Sequence, residues 1–574
     1  MKWAFFLIIL VLFLWACAKE GFPPGGPEDI IPPEIIDTEP QNRAVRVKPD
    51  QKIVFIFSEP VEPRSAEGAV FITPLPGDDV RIRVRGRRLS VDFPQPLRPN
   101  TTYVITLGTE IKDYRNNSMS ESYTLAFSTG LSIDQGKISG RVYGLEDARG
   151  VSVWAYTLEE ASPDPAQVMP EYIVQCSHEG WYTFSHLALA TYRLFCVRDR
   201  AADRLYQPGE DEIGLTFGDM RLDSSAFEFQ DIDFRISRRD TTKPSLVRAV
   251  AENRNHLLLH FSEEIETIHF RSSDSVWILN DREERLAVDF HYREPRNRQI
   301  LHLMTESLDE QYRYTVTVAG IVDRSGNALE QETPLAFAGT SVSDTVPPIL
   351  TTVFPEPGDR HVMLNDTLRL IFNEPVDSLA FQRRFQVADT LNQVVDGHMI
   401  WPCPAEVVFI PRSGWAGKTV YRVELVDSCV QDRWANVMED TVFTFTTLNR
   451  DTLSELSGRV DDPESAQGPV MLRITQVENT NVSFIRWIET PGIYTFEGIL
   501  PGRYLLDAFR DEDEDGRYSY GSPYPFQAAE RFVVYADTVN IRSRWPNHGN
   551  DIALPPRPFS KNDRGESANL RKYE

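Results

Sequence analysis

Three times the chain runs from alternating apolar residues into one five-residue pattern: FSEPV at 57–61, FSEEI at 261–265 and FNEPV at 372–376. The alternation in KIVFIF (52–57), LLLHF (257–261) and LRLIF (368–372) has period two, the signature of a strand with one buried face. Phe57, Phe261 and Phe372 close the inward-facing set and are expected in cores. Ahead of each copy lies a proline-bounded segment: DIIPP (29–33), DTTKP (240–244) and DTVPP (344–348). Proline has no N–H to give a ladder, which suits a linker or the start of an edge strand. Later in each copy a second strand, TYVITL, YRYTVTV or VYRVEL, leads to a turn spelled D-x-x-x-N. Those turns are Asp113…Asn117, Asp323…Asn327 and Asp432…Asn436, and a last strand follows ending FST, FAG or FTT. Short strands separated by turn signals over about 100 residues make an antiparallel sandwich.

A second repeat occurs twice. GWYTFSHLALATY (180–192) and GIYTFEGILPGRY (492–504) share Gly, Tyr-Thr-Phe and a final Tyr at equal spacing. Each follows a strand opening SGRV, and each is followed by an aspartate, Asp199 or Asp511. This unit resembles the carboxypeptidase-regulatory or transthyretin-like (prealbumin-like) β-sandwich. Its G-x-Y-x-F-x-x-L-x-P-G-x-Y stretch is complete in the second copy, while the first has Leu189-Ala190 in place of the Pro-Gly turn. The FSEPV units resemble bacterial Ig-like domains of S-layer proteins, adhesins and surface lipoproteins, on the strength of the prolines, F-[SN]-E-x-[VI] and D-x-x-x-N. The expected fold is all-β: a tandem array of five sandwiches at 32–130, 137–237, 243–340, 347–447 and 455–545. Units one, three and four are Ig-like, and units two and five are transthyretin-like. A polar tail, 546–574, is expected to be disordered. Laid end to end, five sandwiches of about 35 Å would span roughly 150–200 Å.

The N-terminus constrains location. Lys2 precedes an uncharged apolar run from Trp3 to Trp15, short for a membrane span and suited to a signal-peptide core. Its end, LWAC at 14–17, resembles a bacterial lipobox, with Trp15 departing from the usual small or branched residue. The resemblance implies a signal peptide over 1–16, lipid on Cys17, and a Pro/Gly-rich tether over 17–31. It points to an outer-membrane lipoprotein of the Bacteroidota type, at the cell surface or on the periplasmic face. The net charge of −25 argues against nucleic acid, whose phosphates demand a basic patch. Expected partners are the membrane, through the lipid, and an envelope protein or glycan. The other cysteines are Cys176, Cys196, Cys403 and Cys429. They read either as disulfides Cys176–Cys196 and Cys403–Cys429 or as four buried thiols.

Chemistry-bearing patterns are few. Asp511, Asp513, Asp515 and Gly516 spell D-x-D-x-D-G, half of a calcium loop, but the twelfth position is Ser522 rather than glutamate. Glu59, Glu263 and Glu374 are expected beside irregular backbone and hydrogen-bonded to it. The alternative pairs them with Asp113, Asp323 and Asp432 as calcium ligands. No cofactor is required by this reading, and Ca2+ is the one candidate. The histidines spell no HExxH, and neither a G-x-S-x-G nor a Walker loop is present, so a non-enzymatic role is expected. His256 and His260 share a strand face, which reads as packing. Trp415 and Trp434 fall in loop contexts and are the candidate ligand-binding aromatics; the alternative has them plugging the sandwich ends. The expected function is a lipid-anchored spacer, adhesion or scaffolding protein, with glycan binding or service to an outer-membrane assembly as alternatives.

Overall fold

The computed structural model describes residues 30–557, except 77–79, 159–161, 268–274, 331–333, 427 and 465–466. The expected signal peptide, Cys17 and all but the end of the tether lie outside the described residues, as does 558–574. No helix among the described residues is long and apolar enough to cross a membrane.

The three Ig-like units repeat one antiparallel sheet. In unit one its strands lie in the order Ile35–Glu39, Ile53–Phe57, Arg88–Asp92, Arg81–Arg85. Units three and four repeat that order with Leu246–Asn253, His256–Phe261, Ile300–Thr305, Val288–Arg293 and with Leu350–Phe354, Leu368–Phe372, Glu406–Pro411, Gly397–Cys403. The facing sheet is built on the second repeated strand: Thr102–Leu107, Arg313–Val318 or Val420–Leu425. Phe57, Phe261 and Phe372 are 0, 4 and 1% exposed, each in its unit's core. The alternation therefore did what its period required.

Units two and five share a different topology, and it explains their motif. Gly136–Tyr143 and Ser454–Asp461, the SGRV strands, each pair with the Tyr-Thr-Phe strand, Trp181–Leu187 or Ile493–Ile499. The tyrosine hydroxyl crosses back to a returning segment: Tyr182 donates to the Ile232 carbonyl (2.6 Å) and Tyr494 to that of Asn550 (2.5 Å). A side chain on Gly140 or Gly458 would collide with those same two carbonyls, which is why SGRV needs its glycine. The final tyrosine closes its own turn, Tyr192 onto Ala188 (3.0 Å) and Tyr504 onto Leu500 (2.9 Å).

Unit five does not stop at 545. Ile552–Ala553 pairs in parallel with Val460 and Asp461, and Ile552 and Leu554 lie in the core. The expected tail thus contributes a strand up to its described end. Two residues are too few to show alternation, so polar composition masked it.

The units are consecutive in sequence but not strung out in space. Ser152–Thr157 and Thr191–Arg198 of unit two are buried on both faces. Val153, Ala155, Leu194 and Cys196 face the unit's own core, while Trp154, Tyr156, Phe195 and Val197 form a second cluster with Ala529, Tyr518 and Phe526 of unit five. The Ala529 N–H donates to the Thr216 carbonyl across this boundary (3.1 Å). Arg193, held by Asp219, places its guanidinium 3.7 Å from the centre of the Phe526 ring. Arg235 binds Asp507 (2.6 Å) and stacks over Tyr518 and Phe532. Units two and five are docked, so the end-to-end span of 150–200 Å does not apply.

Candidate functional site

At one pole of each Ig-like unit the D-x-x-x-N turn forms the same knot. Asp432 Oδ1 accepts the N–H groups of Trp434 and Asn436 (both 2.8 Å), and Oδ2 accepts the Asn436 side-chain amide (2.6 Å). Asp323 takes Ser325, Asn327 and the Asn327 amide, and Asp113 takes Arg115, Asn117 and the Asn117 amide, in the same way. This is the turn chemistry expected of Asp and Asn.

Two of the repeated glutamates, Glu263 and Glu374, behave differently from expectation. Glu263 Oε1 and Glu374 Oε1 are buried with no hydrogen-bond partner. Each glutamate instead faces two aspartates, one from the knot and one from the proline-bounded segment before the unit. Glu374, Asp432 and Asp344 bring carboxylate oxygens within 4.8 Å of one another, as do Glu263, Asp323 and Asp240. The knot itself places the third member: the Asn436 amide also donates to the Asp344 carbonyl (3.4 Å) and that of Asn327 to Asp240 (3.1 Å). Burial, with Asp344 and Asp432 adding to it, pushes Glu374 up to about 8, and the Asn373 side chain pulls weakly the other way. Burial and the charges of Asp240 and Asp323 raise Glu263 likewise. Two full charges about 4–5 Å apart repel by roughly 3–4 kcal/mol at an effective dielectric of about 20. In unit one, Glu59 and Asp113 hold the matching positions, and Asp29 lies outside the described residues.

The D-x-D-x-D-G loop of unit five gathers a different set from the one its spelling suggests. Asp511 and Asp513 meet Glu530, and Asp515 stands outside the group. The oxygens are occupied by the protein's own donors. Asp511 accepts the N–H groups of Asp515 (3.1 Å) and Gly516 (2.9 Å), and Asp513 accepts the Ser519 hydroxyl (2.6 Å). Glu530 accepts the N–H groups of Glu512 (2.6 Å) and Ser519 (2.9 Å). Asp199 closes the shorter loop of unit two similarly, through Ala202 (2.7 Å) and Arg204 (2.8 Å). Glu530 was missed because it follows the loop at a distance in sequence that no spacing rule covers.

The remaining candidates are placed as follows. All four thiols are free rather than paired. Cys176 and Cys196 line one core, and burial pushes Cys176 up to about 12. Cys403 ends a strand of one sheet of unit four, whereas Cys429 follows a strand of the other and lies against the Phe381 carbonyl. Trp415 is no recognition surface: it is 3% exposed, packed on Tyr421 and Phe445, with its indole N–H on the Asp366 carbonyl (2.7 Å). Trp434 is half-buried in the Asp432 knot. His256 packs as expected, against His302 (2.9 Å), which in turn meets Glu294 (2.8 Å).

Residues 29–129 and 344–447 match the bacterial Ig-like domain family. Unit three repeats the same sheet order although it lies outside the matched residues. No curated protein matches the chain. Similar solved structures include the N-terminal part of the bacterial S-layer protein SbsC, 16% identical with a TM-score of 0.17, over 36% of this chain and 44% of that one. L,D-transpeptidase 3 from Mycobacterium tuberculosis is 13% identical with a TM-score of 0.14, over 25% of this chain and 46% of that one. A Dscam structure is 10% identical with a TM-score of 0.17, over 66% of this chain and 97% of that one. The chain spans less than half the length of the first two.

Proposed function

We propose that this chain is a non-enzymatic, lipid-anchored scaffold of a bacterial envelope, working as a folded-back body rather than as an extended spacer. The observation that carries the reading is the docking of unit two on unit five, which turns a string of sandwiches into a single frame with fixed faces. The Ig-like match supports an extracytoplasmic setting. The LWAC stretch supplies the anchor: acyl chains on Cys17 contribute about 0.8 kcal/mol per buried CH2, so several chains hold the protein stably. Its partner is an envelope protein. Glycan binding has lost one of its two carriers, since Trp415 is a core residue.

Fractionating cells that express the wild type and Cys17→Ala tests this reading. The wild type is expected in the membrane fraction and to take up labelled fatty acid, and Cys17→Ala to take up none. A wild type that takes up no fatty acid would overturn lipid anchoring. Protease shaving of intact cells against a lysed control, followed through an epitope at the C-terminus, then assigns the frame to the surface or to the periplasm.

A further inference from the structure

We infer that Glu374, Asp432 and Asp344 form a site for a divalent cation of the calcium class where unit four meets the segment that leads into it, and that Glu263, Asp323 and Asp240 form its counterpart at unit three. Four observations carry this. In each case the three carboxylates come from three separate stretches of chain, yet their oxygens converge within 4.8 Å. Glu374 is 7% exposed, and its Oε1 is buried without a hydrogen-bond partner although the two aspartates stand beside it. Glu263 Oε1 is buried and unpartnered in the same position of the other unit, though there the site is more open, with Glu263 half-buried and Asp240 exposed. The charges that bear on each glutamate are negative ones only, Asp344 and Asp432 in the first case and Asp240 and Asp323 in the second.

The donor set suits a hard cation that takes six to eight oxygens, with carboxylates binding through one or both atoms. The knot leaves room for it. Each carboxylate offers about four lone-pair sites, and the turn uses three on Asp432. Backbone carbonyls and water complete such a shell. The acidic loop of unit five makes a useful contrast at its glutamate: Glu530 accepts an N–H on each oxygen, whereas Glu374 Oε1 accepts none. The ion would tie the leading segment to the sandwich pole and so fix the angle between consecutive units. Asp344 already reaches back to the Asn253 amide of unit three (2.8 Å), so the ion at unit four would bear on both neighbours. None of this depends on where the chain is anchored.

The test is calcium binding by the full chain, stripped with a chelator and measured by equilibrium dialysis with Ca2+ alone. Glu374→Gln and Glu263→Gln are each expected to lose one bound ion relative to the wild type, and the double variant two. Asp513→Asn, in the loop of unit five, is expected to lose none. Gln keeps the shape of Glu, and circular dichroism confirms that each variant is folded. Asp344→Asn provides a second route to the unit-four site should Glu374→Gln fail to fold, and it is likewise expected to lose one ion. Binding stoichiometry unchanged by the Glu substitutions, or no binding at millimolar Ca2+, would overturn the inference.

Discussion

Arg235→Ala is expected to undock unit two from unit five while leaving both sandwiches folded. The guanidinium is gripped on two sides. Asp507 holds it at 2.6 Å, and the Tyr518 and Phe532 rings cover it at 4.7 and 4.5 Å. Both partners of the ion pair are only 12% exposed, so water replaces little of what is lost. Removing one member of a buried pair costs about 3–5 kcal/mol. The cost here lies at the lower end of that range, because Asp507 keeps Arg473 at 2.9 and 3.0 Å. The unit cores are separate from this contact, so each sandwich survives its loss. The measurement is hydrogen exchange together with urea unfolding. The variant is expected to show faster exchange around 518–532 and an early transition that the wild type lacks. Arg235→Lys keeps the charge but not the planar stacking, and is expected to fall between the two.

The second large effect is expected from Asp462→Ala. The side chains of Asp462 and Arg531 are both fully buried, with two hydrogen bonds between them at 2.6 and 2.9 Å. Glu512 takes the remaining Nε–H of Arg531 (3.2 Å) and also binds Arg557. Cutting Asp462 leaves a guanidinium in the interior with half its acceptors gone, a loss of about 3–5 kcal/mol. A double replacement by apolar residues, Asp462→Leu with Arg531→Met, is expected to recover much of that loss, since it leaves no unpaired charge behind. Arg531 sits between Ala529 and Phe532, the residues that unit five presents to unit two. Asp462→Ala and Arg235→Ala should therefore be non-additive in a double-mutant cycle, with a coupling of about 0.5–3 kcal/mol. Additive losses would mean that the buried pair supports unit five alone.

The individual sandwiches were legible because their signals are local. Alternation before Phe57, Phe261 and Phe372, prolines at the unit boundaries and the D-x-x-x-N turn all act within a few residues. The docking of units two and five was legible only in part. Its trace is the run of consecutive apolar residues, VWAY at 153–156 and LFCV at 194–197, the pattern of strands covered on both sides. That pattern says a face is covered without saying by what. Pairing Glu374 with Asp432 was within reach of the sequence, since both recur in register. Asp344 was harder, because it stands among prolines that read as linker. Its role depends on Asn436 drawing its carbonyl to the pole. Trp415 takes the second of its two readings, a plug at the sandwich end: RSGWAGK has the composition of a loop, and the closed end of the sandwich turns its indole inward.

Docking of unit two on unit five folds the row of sandwiches back on itself. Small-angle X-ray scattering of the soluble chain, freed of residues 1–17, tests it most directly. Docking of unit two on unit five requires a maximum dimension well short of the roughly 150–200 Å of five sandwiches in a line, together with an increase in that dimension for Arg235→Ala. A wild-type chain that reaches the full extended length, unchanged by Arg235→Ala, would contradict the account.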